Sequence, residues 1–124
     1  MTDLYVLAWS RAFALTLAIE CLVAVPLLAR FAGASTRPTF GRRLLAVCFG
    51  NLASHPAVWF VFPALTRGTA ALALQESWAV LVEAALYGLV FPASGFRSAL
   101  AVSALANGIS LSLGLALRAW TGWV

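Results

Sequence analysis

Residues 43–65 read RLLAVCFGNLASHPAVWFVFPAL, a stretch apolar for the length of a bilayer crossing that nevertheless carries Asn51 and His55 inside it. Its residues 44–65, at about 1.5 Å of helical rise each, cover about 33 Å against roughly 30 Å of hydrocarbon. Asn51 and His55, the one histidine of the chain, are four residues apart and share a helix face. Counted from Arg43 they lie about 10 and 16 Å deep, near the middle of the membrane. Polar groups at that depth are costly against lipid, so this face is expected to look into a protein interior.

The rest of the chain has the same character. Of its 124 residues 63% are hydrophobic and only 10% charged, with a mean hydropathy of +0.96, whereas soluble domains carry about 25% charged residues. The length suits four crossings and leaves no room for a separate soluble domain. The expected fold is all-α, a four-helix transmembrane bundle forming one integral membrane domain over residues 1–124, with spans at 4–31, 44–65, 71–91 and 98–120. The start, MTDLYVLAWSRAF, has no basic region before a short apolar core, so the first span reads as retained and not as a signal peptide.

All eight basic residues are arginines, giving a net charge of +4. In a soluble protein this would suggest nucleic acid; among apolar spans it sets orientation instead, and no nucleic-acid partner is expected. The connection 32–43, AGASTRPTFGRR, reads as a loop, and with Arg30 it holds Arg37, Arg42 and Arg43 and no acid. The positive-inside rule makes this loop cytoplasmic, with both termini and the turn at Arg67 outside and the Arg97 turn inside. The expected location is a bacterial inner membrane, crossed several times.

Each span carries a polar anomaly at similar depth. Glu20 is central in the first, followed by Pro26; Pro56 follows His55 in the second, where it should bend the helix, and Pro63 lies near the outer end. Glu76 and Glu83 are seven apart and share a face of the third, with Glu83 central and Glu76 shallower, marking a path from outside to the middle. Ser103, Asn107, Ser110 and Gly114 form one small, polar stripe on the fourth, suited to close helix approach. The candidate binding residues are therefore Glu20, Asn51, His55, Glu83, Asn107 and Ser110, with Glu76 as a vestibule residue. Cys21 and Cys48, at about 15 and 6 Å from one membrane face, read as small buried hydrophobes at different depths.

No arginine lies at the depth of Glu20 and Glu83, which leaves His55 as their expected cationic partner. Two carboxyl groups sharing a dry site would also share a proton. The cluster then binds or moves protons or a small cation, with the asparagines orienting the carboxyls. Alternatively, the same groups are interhelical hydrogen bonds of an accessory or structural subunit, self-associated or docked on a membrane-protein partner. An intramembrane hydrolase is the third reading, but there is no H-E-x-x-H, no G-x-S-x-G and no Gly-rich phosphate loop. Ser94, in Ala-Ser-Gly, faintly resembles the rhomboid serine, yet it lies about 16 Å from His55 by helical rise. Zinc on His55, Glu20 and Glu83 is chemically conceivable from three helices, and no cofactor is expected.

Four short spans with a central glutamate in the first look like the small multidrug-resistance exporters in plan. The residues around Glu20, TLAIECLVAVP, depart from that family's pattern, and the one-sided arginines depart from its dual insertion, so no function is carried over. The segments NLASHPAVW at 51–59 and SALANGIS at 103–110, with Glu76 and Glu83, resemble small bacterial four-helix membrane proteins of unassigned function, and that resemblance implies a fold and no activity.

Overall fold

Apart from short turns, a computed structural model of the chain is helical throughout the residues it describes, 3–31, 38–65 and 68–122. Helix α1 is Asp3–Phe31, with Asp3 in its first turn and Arg30 in its last, each complementing the helix dipole. Helix α2 is Phe40–Phe60; the Thr39 side chain caps it by accepting from the Arg42 amide at 3.3 Å. A single turn, α3, follows at Phe62–Leu65. Helix α4, Thr69–Val90, leads through a 3-10 turn at Pro92–Ser94 into α5, Phe96–Thr121. Gly122, at φ 63°, closes α5 in the left-handed conformation with its amide on the Arg118 carbonyl.

Two boundaries differ from the sequence reading. Helix α2 starts at Phe40 and not at residue 44, because Thr39 supplies an N-cap; Arg42 and Arg43 are thus helical and not part of a loop. The second span also does not run unbroken to residue 65. Pro63 has no amide hydrogen to give the Trp59 carbonyl, so α2 ends at Phe60 and α3 begins afresh at Phe62. The Tyr5 hydroxyl donates to that Trp59 carbonyl instead. Residues 32–37 of the expected loop, with Arg37, and the turn residues 66–67, with Arg67, lie outside the described residues, as does Val124.

The four long helices pack in a ring in the order α1, α2, α4, α5, with α5 back against α1. Helices α1 and α4 are therefore diagonal partners, as are α2 and α5. Small residues let them approach closely: Ala12, Ala24, Ala46, Ala79, Ala84, Ala99 and Ala106 are all buried. The large apolar side chains point the other way, with Leu22 at 78% and Leu89 at 79% exposure. This reverses the usual distribution in soluble monomers, where charged residues are mostly exposed and large apolar ones mostly buried. Three segments, Asp3–Arg30, Phe40–Leu65 and Phe96–Thr121, are long and apolar enough to cross a membrane. Helix α4 has comparable length, 22 residues, but Gln75, Glu76, Ser77 and Glu83 dilute its apolar character.

Along its axis the bundle has three levels. The end that holds Thr39 is filled by a continuous apolar core including Val25, Leu28, Val47, Tyr87, Phe91 and Val102. The middle level is polar. The end that holds Pro63 carries a chain of ring contacts running through Tyr5, Trp9, Phe13, His55, Trp59 and Phe60.

Cys21 and Cys48 are not at separate depths as expected; the two thiols interact across the α1–α2 contact, and both are free. Counting depth from residues 31 and 44 treats those ends as level. Instead, Arg43 Nη1 donates to the Val25 carbonyl at 2.8 Å, so α1 continues six residues beyond the level of Arg43.

Candidate functional site

The polar level is built by one central side chain from each long helix: Glu20 from α1, Asn51 from α2, Glu83 from α4 and Asn107 from α5. Helical periodicity puts them there. The buried positions of α2, namely Ala46, Val47, Gly50, Asn51, Ser54 and His55, recur in pairs four apart, and those of α5, Ala99, Val102, Ser103, Ala106, Asn107 and Ser110, repeat every three to four residues.

Glu20 and Glu83 come from diagonal helices and lie close together on the axis, near enough that charges on both would repel. Two carboxyl groups so placed in a dry interior favour sharing one proton, since two carboxylates can only accept. Both residues are essentially inaccessible, at 0% and 1% exposure. Around Glu83, Asn107 Nδ2 donates to Oε2 at 2.6 Å and Ser54 Oγ to Oε1 at 3.0 Å, while the single hydroxyl hydrogen of Ser103 has two acceptors in reach, Glu83 Oε2 at 3.2 Å and the Val80 carbonyl at 3.1 Å. Around Glu20, Asn51 Nδ2 donates to Oε2 at 2.7 Å, and Ser110 Oγ lies 3.3 Å from Oε1. The second amide hydrogens of Asn51 and Asn107 are taken by the carbonyls of Val47 and Ser103 in their own helices, which fixes both amides in rotation.

Ser110 has one hydroxyl hydrogen and two acceptors in reach, Glu20 Oε1 and the Asn107 carbonyl at 3.0 Å. When the hydrogen turns to the carbonyl, the Ser110 oxygen can accept a proton held by Glu20. The site can thus carry a proton on either carboxyl without moving a helix. Amide and hydroxyl donors surround the two carboxyls, and among the described residues no group of three His, Cys, Asp or Glu is placed to hold a metal ion.

The floor beneath Glu83 is Tyr87, fully buried, with a hydroxyl that has no hydrogen-bond partner among the described residues. Gly50 makes room for both. A Cβ added at Gly50 would lie 3.1 Å from Glu83 Cγ and 3.6 Å from Tyr87 Cε1, so α4 is seated directly on the α2 backbone at this point.

Above the pair, a cavity of about 350 Å³ opens toward the Pro63 end. Tyr5, His55 and Trp59 line one side; Glu76, Glu83, Asn107 and Ser110 line the other, and Arg118 lines it near the end of α5. Glu76 is half-buried in this wall, where the sequence places a vestibule residue. Glu20 does not line the cavity; Glu83 and Asn51 do. Glu83 is therefore the member of the pair that faces the opening, and Glu20 lies behind it.

His55 departs from its expected role. Its imidazole meets Phe13 edge-on at 5.3 Å and stacks on Trp59 at 6.2 Å, and Nδ1 has no hydrogen-bond partner among the described residues. Its side chain leaves α2 on the side of α1's aromatic residues, while Asn51 and Ser54 turn to the carboxyls. Among the described residues, what reaches the two glutamates is amide, hydroxyl and the other carboxyl, with no basic partner. Ser94 is also apart: its hydroxyl donates to the Phe91 carbonyl at 2.6 Å in the turn beyond α4, so it forms no dyad with His55.

Three contributors, Gly50, Ser54 and Ser103, stand outside the candidate set from sequence. Ser103 belongs to the polar stripe of α5. Ser54 lies one turn from Asn51, overshadowed in the sequence by the neighbouring His55, and Gly50 carries no side chain to notice.

The chain matches no known family, curated protein or solved structure. The site is thus read from its own chemistry.

Proposed function

We propose that the chain is a four-span plasma-membrane protein whose Glu20–Glu83 pair takes up and releases a proton, or exchanges it for a small cation, through the cavity at the Pro63 end. The observation that carries this reading is the closeness of two carboxyl groups from diagonal helices at the bottom of an opening, with no arginine among the described residues bonded to either. Ionisable residues inside a membrane bundle mark proton or ion pathways. Glu76 serves as the outer stepping stone, Glu83 as the acceptor that lines the cavity and Glu20 as the inner one; the apolar core at the Thr39 end closes the other side.

The bilayer placement is supported by the inverted distribution of leucine and glutamate and by the three segments long enough to cross. With the arginines of the Thr39 end in the cytoplasm, both termini and the cavity face outward. In liposomes carrying an internal pH dye, an acid jump outside should drive proton uptake through the wild-type chain. Glu83→Gln and Glu20→Gln should lower that rate at least tenfold, on the order of 1.4 kcal/mol of lost pathway free energy, and Glu76→Gln should lower it less. Equal rates in wild type, both glutamine variants and empty liposomes would refute the proposal.

A second reading has an observation of its own. The donors of the cluster join every neighbouring pair in the ring: Asn51 to Glu20, Ser110 to Glu20, Ser54 to Glu83 and Asn107 to Glu83. Read this way, the cluster is a clasp that holds an accessory subunit together while its apolar exterior docks a second copy or another membrane protein. Purification in a mild detergent should then bring down a stoichiometric partner or an oligomer, and a lone monomer would count against it.

A further inference from the structure

We infer that the groove between α2 and α4 at the Thr39 end binds one acidic phospholipid, its acyl chain along the groove and its phosphate at Arg42. The groove, about 450 Å³, is lined by Leu45, Ala46, Phe49, Leu86 and Val90, with Thr39 and Arg42 at its end. The lining is apolar except at that end, and it contains no acid. Leu45 and Phe49 are 58% and 59% exposed, so the groove is open to whatever surrounds the bundle.

The geometry selects an occupant with both a charged head and an apolar tail. From Thr39 to Phe49 the groove follows α2 for ten residues, about 15 Å at helical rise, which is half of the roughly 30 Å hydrocarbon thickness. That is the depth of one leaflet. The head position is preset, because Arg42 Nη2 donates to the Val90 carbonyl at 2.8 Å and the guanidinium sits 5.6 Å from the centre of the Phe91 ring. A guanidinium carries five N–H donors, and that bond uses one. The rest are held at the rim, as an arginine must be to meet a phosphate with little further loss of freedom. Thr39 adds a hydroxyl whose oxygen accepts from the Arg42 amide and whose hydrogen is free to donate outward. Arg43, in the next position, turns to α1 and is tied to the Val25 carbonyl, so Arg42 is the charge at the groove. A basic pocket beside transmembrane helices, at headgroup level, is the arrangement that recognises anionic lipid.

This inference rests on the bilayer placement proposed above and not on the carboxyl pair, and its test involves no flux. Full-length protein purified in detergent is mixed with phosphatidylglycerol or phosphatidylcholine of identical acyl chains, and bound lipid is counted by native mass spectrometry. Phosphatidylglycerol should be retained at least tenfold better than phosphatidylcholine. Arg42→Gln should bring the two lipids to parity. Val90→Trp should displace both by filling the groove while keeping the backbone carbonyl that Arg42 uses, so a loss there is not a loss of the helix contact. Equal retention of the two lipids by wild type would overturn the inference, as would undiminished phosphatidylglycerol binding in both variants. Inorganic phosphate that competes as well as the lipid would overturn it too, since the tail would then contribute nothing.

Discussion

Glu83→Leu should destabilise the bundle by about 2–4 kcal/mol, because two interhelical donors lose their acceptor at once and each is worth roughly 1–2 kcal/mol or leaves a buried group unpaired. The donors are Ser54 from α2 and Asn107 from α5, so both neighbours of α4 in the ring are released together, whereas Ser103 keeps the Val80 carbonyl at 3.1 Å. Glu83→Gln is the control. Its carboxamide oxygen still accepts from Asn107, and the Ser54 hydroxyl can accept from its amide, so the loss should stay below about 1 kcal/mol. Reversible unfolding in mixed micelles, read by helical circular dichroism, separates the two. Equal losses for Leu and Gln would mean that Ser54 and Asn107 are not spent on Glu83. The comparison also keeps the two roles of the residue apart, since Gln should preserve the fold and stop the proton.

Gly50→Val should cost about 1–3 kcal/mol by overpacking. The first added carbon already stands 3.1 Å from Glu83 Cγ and 3.6 Å from Tyr87 Cε1, and the two valine methyls add bulk beyond it. Because Tyr87 is itself closed in by the apolar core, the strain is relieved by moving Glu83 off the axis and away from Glu20. The same unfolding assay should rank Gly50→Val well below Gly108→Ala, whose added carbon meets nothing within 4 Å and which should gain up to about 1 kcal/mol from helix propensity. Comparable stabilities for the two variants would show that α4 does not rest on the α2 backbone at Gly50.

Much of this site is legible in the chain before any coordinates. A rise of 1.5 Å per residue is enough to set Glu20, Asn51, Glu83 and Asn107 at one depth, and the cost of polar groups in lipid is enough to turn them inward. Depth is the part of a helix's position that sequence spacing fixes well. Rotation about the axis is set by packing, and there the reading fails for His55. It shares a broad face with Asn51, yet the 40° between positions four apart is enough to deliver one to the carboxyls and the other to Phe13 and Trp59. Axial offset between helices is likewise a property of the pair, which is why Cys21 and Cys48 come together although their counts from the span ends differ. Pro63 carries its signal openly. Its missing amide predicts a break, and the Tyr5 hydroxyl that serves the orphaned carbonyl is found only in three dimensions, 54 positions away in the chain.

Everything proposed for function depends on a proton resident between Glu20 and Glu83 and in exchange with the cavity. The direct measurement is infrared spectroscopy of the protein in lipid, following the C=O stretch of protonated carboxyl groups as H2O is replaced by D2O. Wild type should show such a band at neutral pH, shifting on deuteration, and both Glu83→Gln and Glu20→Gln should remove or displace it. A spectrum with no protonated-carboxyl band, or one left unchanged by both substitutions, would contradict the account.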